Sequence, residues 1–315
     1  MKMKICVLGA GALGSSIGGV LAEGGSDVYL IDQWPDHVNE INRRGLTLRE
    51  GTIDRTVNVK ARKDCTGIGH ADLIIVLVKS FHTKEAIEGA GAIIGDNTMV
   101  MSIQNGLGND ETLAEVVGQE RLIGAKTYVG GVLLGAGHVI AGTKNKVTYI
   151  GEFDGKITDR ITKVADEFNK AGLLTTISTN IVGMTWDKLL INVATGALSG
   201  ITKLTYGGLY KVKEIEECAL AAVAETMAVA AASGVILSIK DPSQAWFMAS
   251  DGLPDEFKTS MLQSLEKKQK TEIDFINGAV VRWGEKYNIP TPVNKTIVAL
   301  VKGIEYGMQD YPGKS

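Results

Sequence analysis

The chain has 315 residues, 44% apolar and 22% charged, and its 33 Lys and Arg nearly balance 36 Asp and Glu, leaving a net charge of −3. Such a composition can bury a sizeable core, and at ~150 residues per domain the length implies about two domains. It excludes a disordered chain, a disulfide-stapled miniprotein and nucleic acid as the principal partner.

In chain order, residues 4–9 (KICVLG) read as a buried strand, 12–24 as a helix, 27–32 as a second strand and 35–44 as a helix with Pro35 near its start. The more polar stretch 46–62 alternates like a hairpin excursion. The aliphatic run at 72–78 has the character of a parallel strand covered on both faces. A helix over 83–93, a strand over 98–103, glycine-rich strands between 121 and 151 and a helix over 158–171 follow. Beyond about 178 the texture changes, and segments 180–198, 211–233, 241–250, 255–287 and 291–307 carry helical spacing of apolar residues. The expected fold is therefore α/β: a doubly wound parallel sheet over 1–178, then an all-helical C-terminal domain over 179–315.

The start, MKMKICVLGAGALG, has the lysines of a secretory signal, but glycines 9, 11 and 14 interrupt the apolar run and no cleavage site follows. The longest apolar-looking stretch, 219–237, contains Glu225, Thr226, Ser233 and Gly234 and reads as a buried or interfacial helix rather than a membrane span. Three widely spaced cysteines fit a reducing compartment and no metal site. A soluble cytoplasmic protein without a membrane partner is expected. The alanine-rich helix packs either internally or against a second copy, so a homodimer is left open. Glycine is the unusual residue, 38 in all against a usual ~7%. Without accompanying proline, this points to backbones that approach ligands or one another closely.

Gly9-Ala10-Gly11-Ala12-Leu13-Gly14 matches GxGxxG between a predicted strand and a predicted helix, and Asp32 ends the next strand 18 residues after Gly14. This is the context of a dinucleotide site: glycines for the turn and the pyrophosphate, a helix N-terminus for phosphate charge, and a carboxylate for the ribose diol. Asp32 would repel a 2′-phosphate, and Gln33 and Trp34 supply no cation. NAD(H) is therefore favoured and NADP(H) left open. The competing reading makes Asp32 a cap for the following helix.

With these residues in view, the chain resembles the ketopantoate reductase (2-dehydropantoate 2-reductase) family. The resemblance rests on GAGALG, Val78-Lys79-Ser80, Gln104-Asn105-Gly106, Trp186-x-Lys188-Leu189-Leu190-x-Asn192, and Ser260-Met261-Leu262-Gln263 followed by Thr271-Glu272-Ile273-Asp274, which cover residues 4 to about 290. It implies a Rossmann domain, a helical domain, and hydride transfer from NAD(P)H to C2 of a 2-oxo acid to give an (R)-2-hydroxy acid. It also implies that Lys188 is the proton donor, Glu272 a second catalytic group near the nicotinamide ribose, and Asn192 and Ser260 substrate-binding residues. Asn105 would orient nicotinamide and substrate. Lys79 and Gly130 would join Gly9, Ala10, Gly11, Ala12, Leu13, Gly14, Asp32 and Glu272 as cofactor contacts.

Reduction of a ketone builds charge on oxygen and needs a proton donor there. His37, His70, His82 and His138 lie in predicted surface segments away from these motifs, which disfavours histidine. Without the resemblance, Lys188 also reads as a snorkelling edge residue and Glu272 as part of a solvated face beside Lys267, Lys268 and Lys270. Three positions depart from the family: Gly196, Tyr206 and Phe257 stand where members carry asparagine. Losing amides and gaining aromatic surface suggests an apolar oxo acid. The alternatives are thus an NAD-dependent D-2-hydroxyacid dehydrogenase acting on branched or aromatic 2-oxo acids and, in another class, a non-catalytic NAD-binding sensor.

Overall fold

The computed structural model describes residues 2–308, and the chain divides into two compact units. The first runs through Gln104 and resumes over Asn109–Ile181; the second takes Asn105–Gly108 and the chain from Val182 onward.

The first unit contains β1 (Lys4–Leu8), α1 (Ala12–Glu23), β2 (Asp27–Ile31), α2 (Pro35–Arg44), β3 (Leu46–Glu50), β4 (Ile53–Val57), β5 (Lys60–Arg62), β6 (Leu73–Val76), α3 (Thr83–Gly89), β7 (Met99–Ser102), α4 (Asn109–Val117), β8 (Leu122–Thr127), β9 (Gly130–Gly135), β10 (His138–Gly142), β11 (Thr148–Gly151), α5 (Asp159–Lys170) and β12 (Thr175–Ile177). The main sheet has the order β12-β11-β8-β7-β6-β1-β2-β5 and is parallel except where β11 meets β8. Alternation along β1 and β6 builds two cores. Ile5, Val7, Leu73 and Ile75 enter one apolar cluster, while Cys6, Leu8, Ile74 and Val76 enter the other. Both faces are covered, as the aliphatic runs predict.

The polar excursion forms the β3–β4 hairpin, which belongs to a separate sheet of order β4-β3-β10-β9. The glycine-rich strands between 121 and 151 thus divide between two sheets, a split that strand alternation alone does not encode. His37 departs from the sequence reading: it is fully buried rather than in a surface segment.

The second unit is helical: α6 (Ile181–Thr202), α7 (Tyr206–Leu209), α8 (Lys213–Ala232), α9 (Pro242–Ser250), α10 (Ser260–Glu266), α11 (Asn277–Tyr287) and α12 (Pro292–Met308). The segment 255–287 is broken rather than one continuous helix. Thr259 caps α10 by accepting from Leu262 N–H, and Lys268 at φ +52° reverses the chain after α10. A 3-10 turn over Ile273–Phe275 then leads into α11. The alanines of α8 serve internal packing through Ala219, Ala222 and Ala230, while Ala221, Ala224 and Ala228 are exposed.

Among the described residues no helix is long and apolar enough to cross a membrane, and none of the cysteines is in a disulfide. Burial pushes the Cys6 thiol up to about 12 and the Cys65 thiol up to about 11, so both pack as small apolar groups.

A methyl group on Gly14 would overlap the Gly9 carbonyl oxygen, an atom fixed by its own backbone. Gly14→Ala is expected to destabilise the protein by about 3 kcal/mol or prevent folding, measured by urea unfolding.

Candidate active site

In a doubly wound sheet, ligands bind outside the carboxyl ends of strands where strand order reverses. Here β1 is followed on one side by β2 and on the other by β6. Gly9 donates its N–H to Ile31 O at 2.8 Å, and a Cβ there would lie 2.6 Å from Val78 N, so the loop after β1 lies directly against the ends of β2 and β6. Gly9 has φ +98°, and Gly14 lies against Gly9, so the fold itself requires both glycines. Gly11 is different. It is exposed, has φ −63° and has nothing within 4 Å of the position a Cβ would occupy. Packing does not demand glycine there, whereas close approach of a pyrophosphate does. Ala12 and Leu13 form the first turn of α1, which carries no acidic residue to offset its positive end.

Asp32 is half-buried. Its Oδ2 accepts from Ala10 N–H at 2.8 Å and its Oδ1 from Trp34 N–H at 2.9 Å. It therefore braces both the glycine loop and the entry to α2, and each oxygen keeps a lone pair for a ribose hydroxyl. Arg43 and Arg44 pair with Glu40, at 2.6 Å and 3.4 Å. The sheet also brings a cation that chain neighbours did not reveal: Arg62 of β5 is in register with Ile31, and its carbonyl accepts from Asp32 N–H at 3.0 Å.

Lys79 follows β6 and is exposed. Gln104 is buried after β7, donating Nε2–H to Val78 O at 2.7 Å and to Thr83 Oγ1 at 2.9 Å, which ties the two strand ends together. Gly131 packs on α1, with a Cβ position 2.9 Å from Ala12 O, and this sets its exposed neighbour Gly130 beside the start of that helix.

The sequence reading passed over Lys126. It is 4% exposed on β8 and donates Nζ–H to the Gln104 carbonyl at 2.7 Å, holding the peptide that leads into Asn105. Asp110 nearby is pushed up to about 7 by burial, against the opposing pull of Lys126. A charged residue in an otherwise wholly buried strand is the signal that marks Lys126.

In the second unit, Lys188 and Asn192 lie one turn apart on α6, and both are half-buried. Their neighbours are locked in place. Trp186 packs edge-to-face on Trp283 with centroids 5.5 Å apart. Buried Asp187 accepts from Ser238 N–H, Ser238 Oγ–H at 2.6 Å and Ile239 N–H. Asn192 Nδ2 is buried with no hydrogen-bond partner. An orphaned donor of this kind costs about 1–3 kcal/mol, which a bound acceptor would recover.

One turn beyond Asn192, the Gly196 carbonyl accepts from Thr259 Oγ1 at 3.3 Å, so exposed Ser260 at the start of α10 is anchored to the same helix. Glu272 is only 8% exposed and lies in the bend before α11, while Lys267, Lys268 and Lys270 are exposed. It is therefore not part of a solvated face. Glu305 pins this bend by accepting from Thr271 N–H and Oγ1, both at 2.7 Å. Asn105 joins it: Gly106, at φ +84°, lies against the Phe275 carbonyl, which accepts from Leu107 N–H at 2.8 Å. Tyr206 and Phe257, two of the departing positions, have their rings 5.6 Å apart, and Tyr206 O–H lies 3.3 Å from Thr195 Oγ1. No group of three or more His, Cys, Asp or Glu among the described residues could hold a metal ion.

Residues 5–155 match the model of Ketopantoate reductase PanE/ApbA, and residues 180–305 match its C-terminal counterpart. A 2-dehydropantoate 2-reductase from Pyrococcus horikoshii is 36% identical over 96% of this chain and 98% of its own. A PanE/ApbA family ketopantoate reductase from Ralstonia eutropha superposes with a TM-score of 0.89 at 35% identity, covering 98% of this chain and all of its own. D-mandelate dehydrogenase, solved with NADH and anilino(oxo)acetate, gives a TM-score of 0.90 at 26% identity over 97% of this chain and 99% of its own. An α/β unit with a glycine loop, a helical unit carrying Lys188 and Asn192, and these full-length matches agree: the chain is an oxidoreductase and belongs to the ketopantoate reductase family.

Proposed function

We propose that the chain reduces a 2-oxo acid at C2 to the (R)-2-hydroxy acid, with 2-dehydropantoate the first substrate to test. The observation that carries this reading is Lys188 one turn from the unpartnered, buried amide of Asn192. When bound, reduced nicotinamide dinucleotide supplies the hydride. Lys188 donates a proton to the carbonyl oxygen as charge develops on it, and then regains one from solvent. Asn192 donates to the same oxygen or to a neighbouring substrate acceptor. Ser260 receives the substrate carboxylate, and Glu272 and Asn105 orient substrate and nicotinamide ribose. Gly9–Gly14, Lys79 and Gly130 hold the dinucleotide, with open Gly11 the residue whose type the ligand rather than the fold explains.

For the cofactor, Asp32 and the pairing of Arg43 and Arg44 with Glu40 support NADH, whereas Arg62 beside Asp32 is the cation that a 2′-phosphate would need. We favour NADH. A second reading, a D-2-hydroxyacid dehydrogenase for branched or aromatic 2-oxo acids, draws support from the Tyr206–Phe257 contact and from the similarity to an NADH-bound D-mandelate dehydrogenase. The chain's three cysteines, none of them in a disulfide, suit a reducing cytoplasm, and a homodimer is a proposal that light scattering of the purified protein tests.

Initial rates with ketopantoate, 2-oxoisovalerate and phenylglyoxylate, each with NADH and NADPH, test the assignment. Preference for ketopantoate supports the first reading, preference for the apolar acids supports the second, and turnover of none overturns both. Lys188→Ala is expected to lower kcat by about 10²–10⁴ with cofactor affinity nearly unchanged. Gly11→Ala is expected to shift stability by less than about 1 kcal/mol while raising the cofactor Kd at least about tenfold, as titration calorimetry would show. Asn192→Leu removes the orphaned donor, so stability should hold or rise by about 1 kcal/mol while the substrate KM climbs.

A further inference from the structure

His37 is fully buried between α1, α2 and the β9–β10 turn, and its two ring nitrogens have separate duties. Gly137 N–H donates to Nδ1 at 2.9 Å, so Nδ1 carries a lone pair and the ring proton sits on Nε2. Nε2 lies 3.1 Å from Ser15 Oγ, and Ser15 Oγ–H in turn donates to the Ala10 carbonyl at 2.7 Å. The relay thus runs from a backbone N–H of the small sheet through α2 and α1 into the glycine loop, with every donor matched to an acceptor. Both of its ends are held. The Gly137 carbonyl accepts from Thr47 N–H at 2.8 Å, and Ala10 N–H is taken by Asp32 Oδ2 at 2.8 Å. Trp34 stacks on the His37 ring at 5.3 Å and 6°, closing it off from the outer side.

A trans peptide points its C=O and N–H in opposite directions. Drawing the Ala10 carbonyl inward to Ser15 therefore turns the Gly11 N–H outward, at the exposed residue that has open space around it. We propose that neutral His37, acting through Ser15, is a positioning residue that aims the Gly11 N–H at the dinucleotide phosphates. This rests on the reading that Gly9–Gly14 is the dinucleotide cradle.

Protonating Nδ1 would set it against the Gly137 N–H, so the relay exists only with neutral His37. Burial holds the ring below its ordinary 6.5, against the pull of Asp32 and the Ala10 carbonyl. The other charges on the packed elements are Glu40, paired with Arg43 and Arg44, exposed Asp36, and His138, which faces Asp54. β5 brings Arg62 and Lys60, the latter paired with Asp27, and β3 brings Arg49, paired with Asp54, and Glu50, paired with Arg55. α1 brings no charge before Glu23, which also pairs with Arg55. Because the folded-state value is lowered, the relay is complete above 6.5 and is lost as pH falls through the folded-state value. Cofactor binding and protonation of His37 are then linked reciprocally.

The test is ¹⁵N-edited imidazole NMR of the full chain, with and without saturating NADH, beside NADH titrations carried from neutral pH down through the His37 titration that the NMR locates. His37→Gln assigns the signal and removes the titrating ring. We expect the Nε2–H tautomer, a His37 titration moved to lower pH by NADH, and an NADH Kd that rises about threefold or more on acidification, with that rise absent in His37→Gln. A His37 titration unmoved by NADH, or an acid dependence that persists in His37→Gln, overturns the proposal. If Gly11→Ala leaves the NADH Kd unchanged, the cradle reading fails and the proposal falls with it. If Gly11→Ala weakens binding while His37 does not respond, the positioning role alone falls.

Discussion

Backbone meets backbone at the carboxyl end of β1, and the rest of the first unit is arranged around that contact. Gly9 reaches Ile31 and Val78, Gly14 seats α1 on Gly9, and Gly18 and Gly19 let the same helix lie against Leu30 on one sheet and Leu46 and Leu48 on the other. Each helical glycine costs about 1 kcal/mol relative to alanine, yet an alanine at Gly14, Gly18 or Gly19 would collide with a neighbour. The close approach is thus favoured by burial of apolar side chains on both flanks of α1, and it is what brings Asp32 and the loop within hydrogen-bonding reach.

The second unit solves a different problem. A long helix, α6, carries polar groups in a buried setting, and most are answered within the protein. Asp187 collects donors from the Ser238 region, and Thr195 meets Tyr206. Elsewhere in the unit Asn294 and Glu225 satisfy one another and the start of α12. Against this background the Asn192 amide on α6 stands out: its buried Nδ2 has no partner within the protein, and it is a donor that a bound acceptor would answer.

The order of strands and helices in the first half was legible because parallel strands are continuous aliphatic runs and the loops between them are glycine-rich or polar. The placement of the first unit's candidate motifs was legible for the same reason: GAGALG, the aspartate after β2, and the residues following β6 and β7 all sit at strand ends, which a sequence marks clearly. What escaped was tertiary. Nothing local says that β3 pairs with β10 rather than with the main sheet, or that β5 returns to place Arg62 beside Asp32. His37 looked like a surface residue because its helix is polar, and only the arrival of Gly137, 100 residues later, makes it a buried acceptor. The 255–287 segment looked continuous because its apolar spacing runs through the Thr259 cap, the left-handed Lys268 and the 3-10 turn over Ile273–Phe275 that interrupt the helix.

The four residues Asn105–Gly108 leave the first unit after β7, complete the second unit at Phe275, and return to begin α4. The polypeptide therefore passes from one unit to the other three times rather than once. A fragment starting at Val182 would lack the peptide that satisfies the Phe275 carbonyl, and on the ribosome the bend carrying Glu272 emerges more than 150 residues after the segment it must capture. The helical unit is thus not a separable module in the sense of a bead on a string. Exchanging it between relatives would require moving a tetrapeptide embedded in the other unit along with it.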